Sequence, residues 1–134
     1  MNKVLAPVFI VLFLFGCASA DLLRQADTPE QKYWAALNVF DVYDQAGLEI
    51  AQDPNTPVYV KTNLKRIRNV AKQALVLADE AYHELMRARE QMEGNPEVTN
   101  LDLVNAALSV FNSRAELAFH KVDLFKDAID AFQN

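Results

Sequence analysis

The fold of this chain is decided by residues 71–88, which read AKQALVLADEAYHELMRA. In this stretch alanine or leucine returns at alternating intervals of three and four residues, the heptad spacing of a helix that packs along one seam. The same spacing continues on both sides and predicts one long helix over residues 57–93. Because the middle of the seam is alanine, a neighbouring helix can approach closely there. The seam residues are Val60, Leu64, Ile67, Ala71, Ala74, Ala78, Ala81, Leu85, Ala88 and Met92.

A shorter helix is predicted before the long one, over residues 29–52. Residues 28–31, Thr-Pro-Glu-Gln, combine a capping threonine, a proline at the first helical position and a glutamine that completes a capping box. Residues 53–55, Asp-Pro-Asn, end the pattern, and the Thr-Pro pair at 56–57 repeats the opening device for the long helix.

A third helix is predicted over residues 97–132, after Gly94, which is placed to cap the second. Two apolar stripes run along it, as suits a helix that packs against two others. The main seam is Leu101, Val104, Leu108, Phe111, Ala115, Ala118, Val122, Phe125, Ile129 and Phe132. The second stripe is Ala107, Val110, Leu117, Leu124 and Ala128.

These patterns predict an all-α fold, an up-down-up antiparallel three-helix bundle with a longer hairpin of the second and third helices. At 1.5 Å per residue the first helix is about 36 Å long and the other two about 50 Å, so the first cannot cover the whole hairpin. The tip around residues 85–105 is expected to stay uncovered by it. The apolar residues there cover one another or offer a contact surface to a partner; they are Leu85, Met86, Met92, Leu101, Leu103 and Val104.

The first 17 residues carry an export pattern. A basic start with Lys3 is followed by twelve mostly apolar residues, too few to span a bilayer. The run ends in Leu14-Phe15-Gly16-Cys17, which resembles the lipobox of bacterial lipoproteins. The resemblance implies that residues 1–16 are a signal peptide, that Cys17 carries lipid, and that residues 17–27 tether a domain of residues 28–134. Phe15 departs from the small or β-branched residue usual in that pattern.

Two other readings of the leader stay open. Ala18-Ser19-Ala20 offers an A-x-A site at which ordinary signal peptidase would release a soluble domain, and the leader could also remain as an uncleaved anchor. If the lipobox is used, the absence of aspartate after Cys17 implies, by the same resemblance, the outer membrane, with the domain facing the periplasm.

The charge of the mature chain limits its partners. Residues 1–16 contain one charged residue, Lys3. The remaining chain has 12 Lys and Arg residues and 18 Asp and Glu residues, which gives a net charge of −6. This balance argues against nucleic acid or anionic lipid as the main ligand. The single cysteine excludes an internal disulfide, although the export pattern indicates an oxidising compartment.

Two pairs of residues have metal-ligand spacing. Glu80 and His83 match the Glu-x-x-His pair of di-iron bundles, but the chain has no second such pair. Glu116 and His120 are four residues apart on the third helix. Both histidines fall between seam positions and point away from the predicted core, so we expect surface histidines, and no metal or other cofactor.

A basic stripe runs down the second helix, formed by Lys61, Lys65, Arg68 and Lys72 and reinforced by Arg66. It suits lipid head groups, cell-wall polymer or an acidic partner. The alternative, which we favour, is ion pairing with acidic residues of the first helix, because such pairs flank heptad seams. The acidic residues concerned are Asp41, Asp44, Glu49 and Asp53. Trp34, the only tryptophan, is equally suited to the membrane interface and to covering the end of the bundle.

These observations predict a lipid-anchored helical module of the cell envelope, with a binding or structural role. It would meet an envelope protein or itself, and no nucleic acid. We expect no enzyme, because the few serines stand alone and no phosphate loop is present. The alternatives are a periplasmic ligand- or metal-binding bundle and, by analogy, a prophage-type exclusion lipoprotein.

Overall fold

The computed structural model describes residues 22–94 and 101–134. Three long helices account for most of them: α1 (Pro29–Gln52), α2 (Val58–Gly94) and α3 (Leu101–Gln133). Residues 22–25 form a short helical segment before α1. All the regular structure in the described residues is helical, which confirms the all-α prediction. Residues 97–100, predicted to open the third helix, lie outside the described residues.

The start of α1 has the predicted capping box. The backbone N–H of Gln31 donates to Thr28 Oγ1 (3.2 Å), and the backbone N–H groups of Asp27 and Thr28 donate to Gln31 Oε1 (3.0 and 3.2 Å). These bonds satisfy amides that a helix start leaves without partners. At the other end, the N–H of Asp53 donates to the carbonyl of Glu49 (3.1 Å).

At the start of α2, Thr56 does not cap the helix in the way that was predicted from the Thr-Pro pair. Thr56 is 5 % exposed, and its hydroxyl oxygen has no hydrogen-bond partner among the described residues. Instead, the backbone N–H groups of Val60 and Lys61 donate to the carbonyl of Pro57. The threonine side chain turns into the protein rather than toward the helix amides, so the capping prediction is wrong at this position.

This buried hydroxyl leads to a prediction about stability. Valine has the shape of threonine without the hydroxyl, so Thr56→Val removes a buried polar group that forms no bond. We expect the free energy of unfolding to rise by about 1 kcal/mol. Thr62→Val is the control, because the exposed Thr62 hydroxyl donates to the carbonyl of Val58 (3.0 Å) and its loss should not stabilise. Urea unfolding of both variants measures the difference, and destabilisation by Thr56→Val would contradict it.

The middle parts of the predicted seams form the core, whereas the seam residues Leu101 and Phe132 at the two ends of α3 are exposed. On α2, Ala71 and Ala78 are fully buried, and on α3 the seam is buried from Phe111 to Ile129. The two seams meet in one apolar cluster with the buried face of α1. The largest fully buried side chains are Tyr33, Phe111, Phe125, Leu85, Ile129, Val39 and Val122.

Contacts between the helices follow a consistent order. Near the start of α1, the Tyr33 ring lies 5.5 Å from that of Tyr82 on α2 and 5.8 Å from that of Phe111 on α3. Farther along α1, Asp44 pairs with Arg68 of α2. Gly47 lies against Phe125 of α3, where an added Cβ would stand 3.2 Å from the ring. A side chain at Gly47 would therefore crowd the contact between α1 and α3.

The second stripe of α3 is not covered as expected. Val110, Leu117 and Leu124 are exposed, and Ala107 and Ala128 are only partly buried. Ala107 and Ala128 pack against the edge of the core cluster, whereas Val110, Leu117 and Leu124 are left uncovered by α1 and α2.

The region around residues 85–105, predicted to stay uncovered by α1, is only partly uncovered in its described residues. Leu85 is fully buried, whereas Leu101 and Leu103 are exposed. Leu23 and Ala26, assigned to the tether by the sequence, are buried and belong to the same core cluster as Leu85. The packed domain therefore begins before residue 28. Gly94 is the last residue of α2, and its φ is not in the left-handed region of a glycine cap.

Candidate functional site

An exposed apolar line runs along α3. Leu103, Val110, Leu117 and Leu124 repeat every seven residues and are exposed by 39 to 52 %. We call these four residues the α3 ridge. Seven residues are close to two helical turns, so the four side chains stand above one another on one side of the helix. Exposed apolar side chains aligned in this way form a candidate interaction surface, whereas single scattered ones are ordinary.

The α3 ridge points away from α1. Phe119 and Lys126 face α1, since Lys32 lies over the Phe119 ring (5.6 Å) and Lys126 over the Tyr43 ring (5.8 Å). Leu117 and Leu124 each precede one of them by two residues. Two residues turn a helix by about 200°. The ridge therefore occupies the opposite side of α3.

Two exposed residues of α2 extend the patch. Arg68 and Asp79 of α2 both contact α1. The exposed Val70 follows Arg68 by two residues, and the exposed Leu77 precedes Asp79 by two residues. By the same rotation, Val70 and Leu77 lie on the side of α2 away from α1. We call the α3 ridge together with Val70 and Leu77 the ridge face.

The predicted basic stripe divides into one paired residue and three others. Arg68 forms a bidentate pair with Asp44 of α1, with Nη2 2.9 Å from Oδ2 and Nε on Oδ1. The hydrogen bond to Asp44 raises the pKa of Arg68. Lys61, Lys65 and Lys72 have no ion-pair partner in the described parts of the chain. Pairing with α1 therefore applies to Arg68 alone.

This pair predicts unequal effects along the stripe. Arg68→Met leaves the half-buried Asp44 carboxylate without its partner, and we expect unfolding to become easier by about 1–2 kcal/mol. Lys65→Met, on the same stripe but exposed, should change stability by less than about 0.5 kcal/mol. Thermal unfolding at neutral pH compares the two variants. Equal effects would mean that the Arg68–Asp44 pair contributes nothing.

Glu80 and His83 do not come together as ligands. His83 is exposed, and its Nε2 lies 3.6 Å from Oδ2 of Asp79 rather than near Glu80. Its ring packs against Tyr82 with 6.1 Å between centroids. In residues 22–94 and 101–134, no group of three or more His, Cys, Asp or Glu side chains is placed to hold a metal ion.

Glu116 and His120 are also separate. Both carboxylate oxygens of Glu116 accept hydrogen bonds from Lys32 Nζ of α1, at 2.7 and 3.0 Å. His120 lies one turn farther along α3 and is exposed, and no hydrogen bond or ion pair joins it to another described residue. Glu116 thus contributes to the contact between α1 and α3.

An aromatic cluster near the start of α1 was not predicted. Tyr33, Trp34, Tyr82 and Phe111 have ring centroids 5.0 to 5.9 Å apart. Tyr33 donates its hydroxyl to Asp79 Oδ1 (2.6 Å), and burial, together with this bond, raises the pKa of Tyr33. Trp34 covers the outside of the cluster and stays 49 % exposed.

A cluster of charged residues lies near the end of α3, beside Tyr43 of α1. Lys126 Nζ is 2.6 Å from Oδ2 of Asp130 and 3.6 Å from Oδ1 of Asp127. The hydrogen bond to Asp130 raises the pKa of Lys126. Burial, with the carboxylate of Asp130 nearby, raises the pKa of Tyr43 to about 12. Lys126 therefore stays charged and Tyr43 neutral near neutral pH, and the cluster forms a packing contact between α1 and α3.

The surface of α2 carries a small concave region. A shallow depression of about 440 Å³ is lined by residues of α2 alone: Asn69, Lys72, Gln73, Val76 and Leu77. No other helix completes it. The helices of residues 22–94 and 101–134 contain no stretch long and apolar enough to cross a bilayer. Cys17 and the rest of the lipobox lie outside the described residues.

Comparison of the chain with protein-family models, with curated proteins and with solved structures gave no match.

Proposed function

We propose that this chain is a lipid-anchored helical module of the bacterial cell envelope, with a binding role. Residues 1–16 are removed, Cys17 carries the lipid, and the domain lies at the outer membrane and faces the periplasm. The Leu14-Phe15-Gly16-Cys17 pattern supports the anchor. The acidic charge of the mature chain gives anionic membranes no electrostatic hold on the domain, so the lipid has to provide attachment.

The proposal includes an up-down-up order for the three long helices. Positions that contact α1 run backwards along α2, from Tyr82 beside Tyr33 to Arg68 beside Asp44. Along α3 they run forwards, from Phe111 beside Tyr33 to Phe125 beside Gly47. These contacts support α2 antiparallel to the other two.

The segment that joins the proposed lipid anchor at Cys17 to the packed domain is short. Leu23 is already buried in the core cluster, six residues after Cys17. Six extended residues span about 20 Å. The start of α1 and the tip of the α2–α3 hairpin therefore stay close to the membrane surface, and the ridge face extends away from it along the bundle.

The observation that carries the binding role is the ridge face. It repeats at heptad spacing for three heptads along α3, as a helix-packing seam does, yet nothing in the described residues covers it. The alternatives, a periplasmic ligand- or metal-binding bundle and a prophage-type exclusion lipoprotein, have no supporting contact of this kind among those residues.

Cross-linking in intact cells tests the binding role. A short amine-reactive cross-linker is expected to capture a specific product from the wild-type protein. Leu117→Glu places a charge in the middle of the α3 ridge and should abolish that product. Leu48→Glu is the matched control, because Leu48 on α1 is exposed to the same degree (38 % against 39 %) and lies outside the ridge face. Equal products from all three proteins would contradict a binding role for this face.

A further inference from the structure

We propose that the ridge face binds a second copy of this chain, giving a parallel dimer on the membrane. The identity of the partner follows from the ridge face, and the parallel orientation rests on the lipid anchor of the proposed function. In the dimer, α2 and α3 of one subunit pack against α3 and α2 of the other.

Contacts between side chains show which residues of α2 and α3 lie at the same height, that is, at the same level along the axis of the bundle. The rings of Tyr82 and Phe111 are 5.6 Å apart, so these residues stand at one height on α2 and α3. At the other end, Arg68 and Lys126 stand at one height, because they contact the adjacent residues Asp44 and Tyr43.

The same register places the apolar residues of the ridge face in two rungs. Leu77 lies level with Leu117, and Val70 level with Leu124. A two-fold axis parallel to the helices sets α2 against α3 of the partner subunit at equal height, so each rung meets the identical rung of the other copy. Self-complementarity of this kind is what an isologous interface requires.

Charges beside the rungs are also complementary under this symmetry. Glu80 lies level with Arg114, and Arg66 level with Asp127, all four exposed. Arg66, Glu80 and Arg114 have no ion-pair partner in the described residues. The symmetry brings Glu80 to Arg114 of the partner subunit and Arg66 to Asp127 of the partner subunit.

The area is sufficient for a stable dimer. From Leu103 to Leu124, the ridge face extends over 21 residues, about 32 Å at 1.5 Å per residue. Two helices side by side present a width of about 20 Å. The face therefore offers about 600 Å² per subunit, at the lower end of the range for standard protein–protein interfaces.

The membrane favours this orientation. An axis parallel to the helices keeps both Cys17 anchors at the same end of the assembly, so both lipids enter one bilayer. Confinement to that surface raises the effective concentration of the second copy, as a linker does between two binding modules. A partner from solution has no such advantage.

A charge exchange tests the dimer on the lipidated full-length protein. The protein is reconstituted in phosphatidylethanolamine–phosphatidylglycerol vesicles, with donor and acceptor dyes on an Asn134→Cys variant, and energy transfer measures association. In a homodimer of Glu80→Arg, the arginine at position 80 faces Arg114 of the partner subunit. In a homodimer of Arg114→Glu, the glutamate at position 114 faces Glu80 of the partner subunit. Each should weaken association about tenfold or more, since like charges then face each other.

Mixing the two variants distinguishes a contact between subunits from one within a subunit. In the mixed dimer each arginine meets a glutamate of the other chain, so association should return to within about threefold of wild type. Within each chain the two positions still carry like charges, so no intramolecular effect can produce this rescue. Retained melting temperatures of the single variants, whose substitutions are exposed, show that they fold.

Three results would overturn the dimer: no energy transfer at any surface density by the labelled Asn134→Cys protein with Glu80 and Arg114 intact, no loss with the single variants, or no rescue on mixing. The proposed function is judged separately. Loss of the cross-linked product in Leu117→Glu cells, with a product that contains a different protein, would support a binding role and reject the second copy. Release of the wild-type protein from membranes would reject the anchor, whatever the energy transfer.

Discussion

Replacing Cys17 with serine is expected to move this protein from the membrane fraction of the envelope to the soluble fraction. The substitution removes the only thiol in the chain, and with it the proposed attachment point of the lipid. Burial of acyl chain contributes about 0.8 kcal/mol per methylene, and stable anchoring takes two such chains or one chain and a basic patch. The mature domain is acidic, and its described helices include no membrane span.

The fate of the leader in this variant is part of the prediction. Serine cannot form the thioether, and the Ala18-Ser19-Ala20 site then offers cleavage and release. Ser19→Ala, two residues away, leaves the thiol in place and should remain in the membrane fraction with wild-type yield. Unchanged membrane association of Cys17→Ser, together with an unchanged modification mass, would contradict the lipoprotein proposal.

Phe111→Ala is expected to have the largest effect on stability. Phe111 is fully buried and packs against Tyr33 of α1 and Tyr82 of α2, so it joins all three long helices. Truncation of a buried phenylalanine costs about 3–5 kcal/mol through lost burial and the remaining cavity. Domains have about 5–15 kcal/mol in total, so the variant should lose a large part of its stability. The expected fall in Tm is about 10–20 °C.

Phe132→Ala is the matched control for this substitution. Phe132 lies on the same helix but is 40 % exposed near its end, so truncation should cost less than about 1 kcal/mol. Calorimetry of both variants gives the comparison. A Phe132 effect as large as that of Phe111 would mean that the core does not centre on the aromatic contact between the helices.

How far the sequence predicted the fold can be judged from α2. Its heptad spacing identified Ala71, Ala78 and Leu85 as core, and all three are fully buried. Periodicity finds such residues because burial on one helix face requires apolar side chains at that spacing. The capping box at Thr28 was equally predictable, since it depends only on neighbouring residues.

Periodicity could not decide whether an apolar face is covered. Val110 and Leu117 have the spacing of a packed stripe but stay exposed, because coverage depends on where the other helices lie. Leu23 was assigned to a tether because a four-residue helical segment is too short to give a period. The bond from Tyr33 to Asp79 joins residues 46 positions apart, which no local pattern indicates.

Contacts at the candidate sites also depend on how the helices pack, which the local sequence pattern does not predict. Lys61, Lys65, Arg68 and Lys72 form one stripe in the sequence, but only Arg68 is opposite a carboxylate of α1, because ion pairing depends on the register between helices. Glu80 and Glu116 were considered as metal ligands by their spacing to histidines. The fold places Glu116 on Lys32 and leaves Glu80 at the edge of the ridge face.

The most direct test of the central claim is the intact mass of the wild-type protein extracted from bacterial membranes. The lipid-anchored module predicts a chain of 118 residues that begins at Cys17 and carries the added mass of lipid on that residue. An unmodified chain that begins at Asp21 or at Met1 would contradict it.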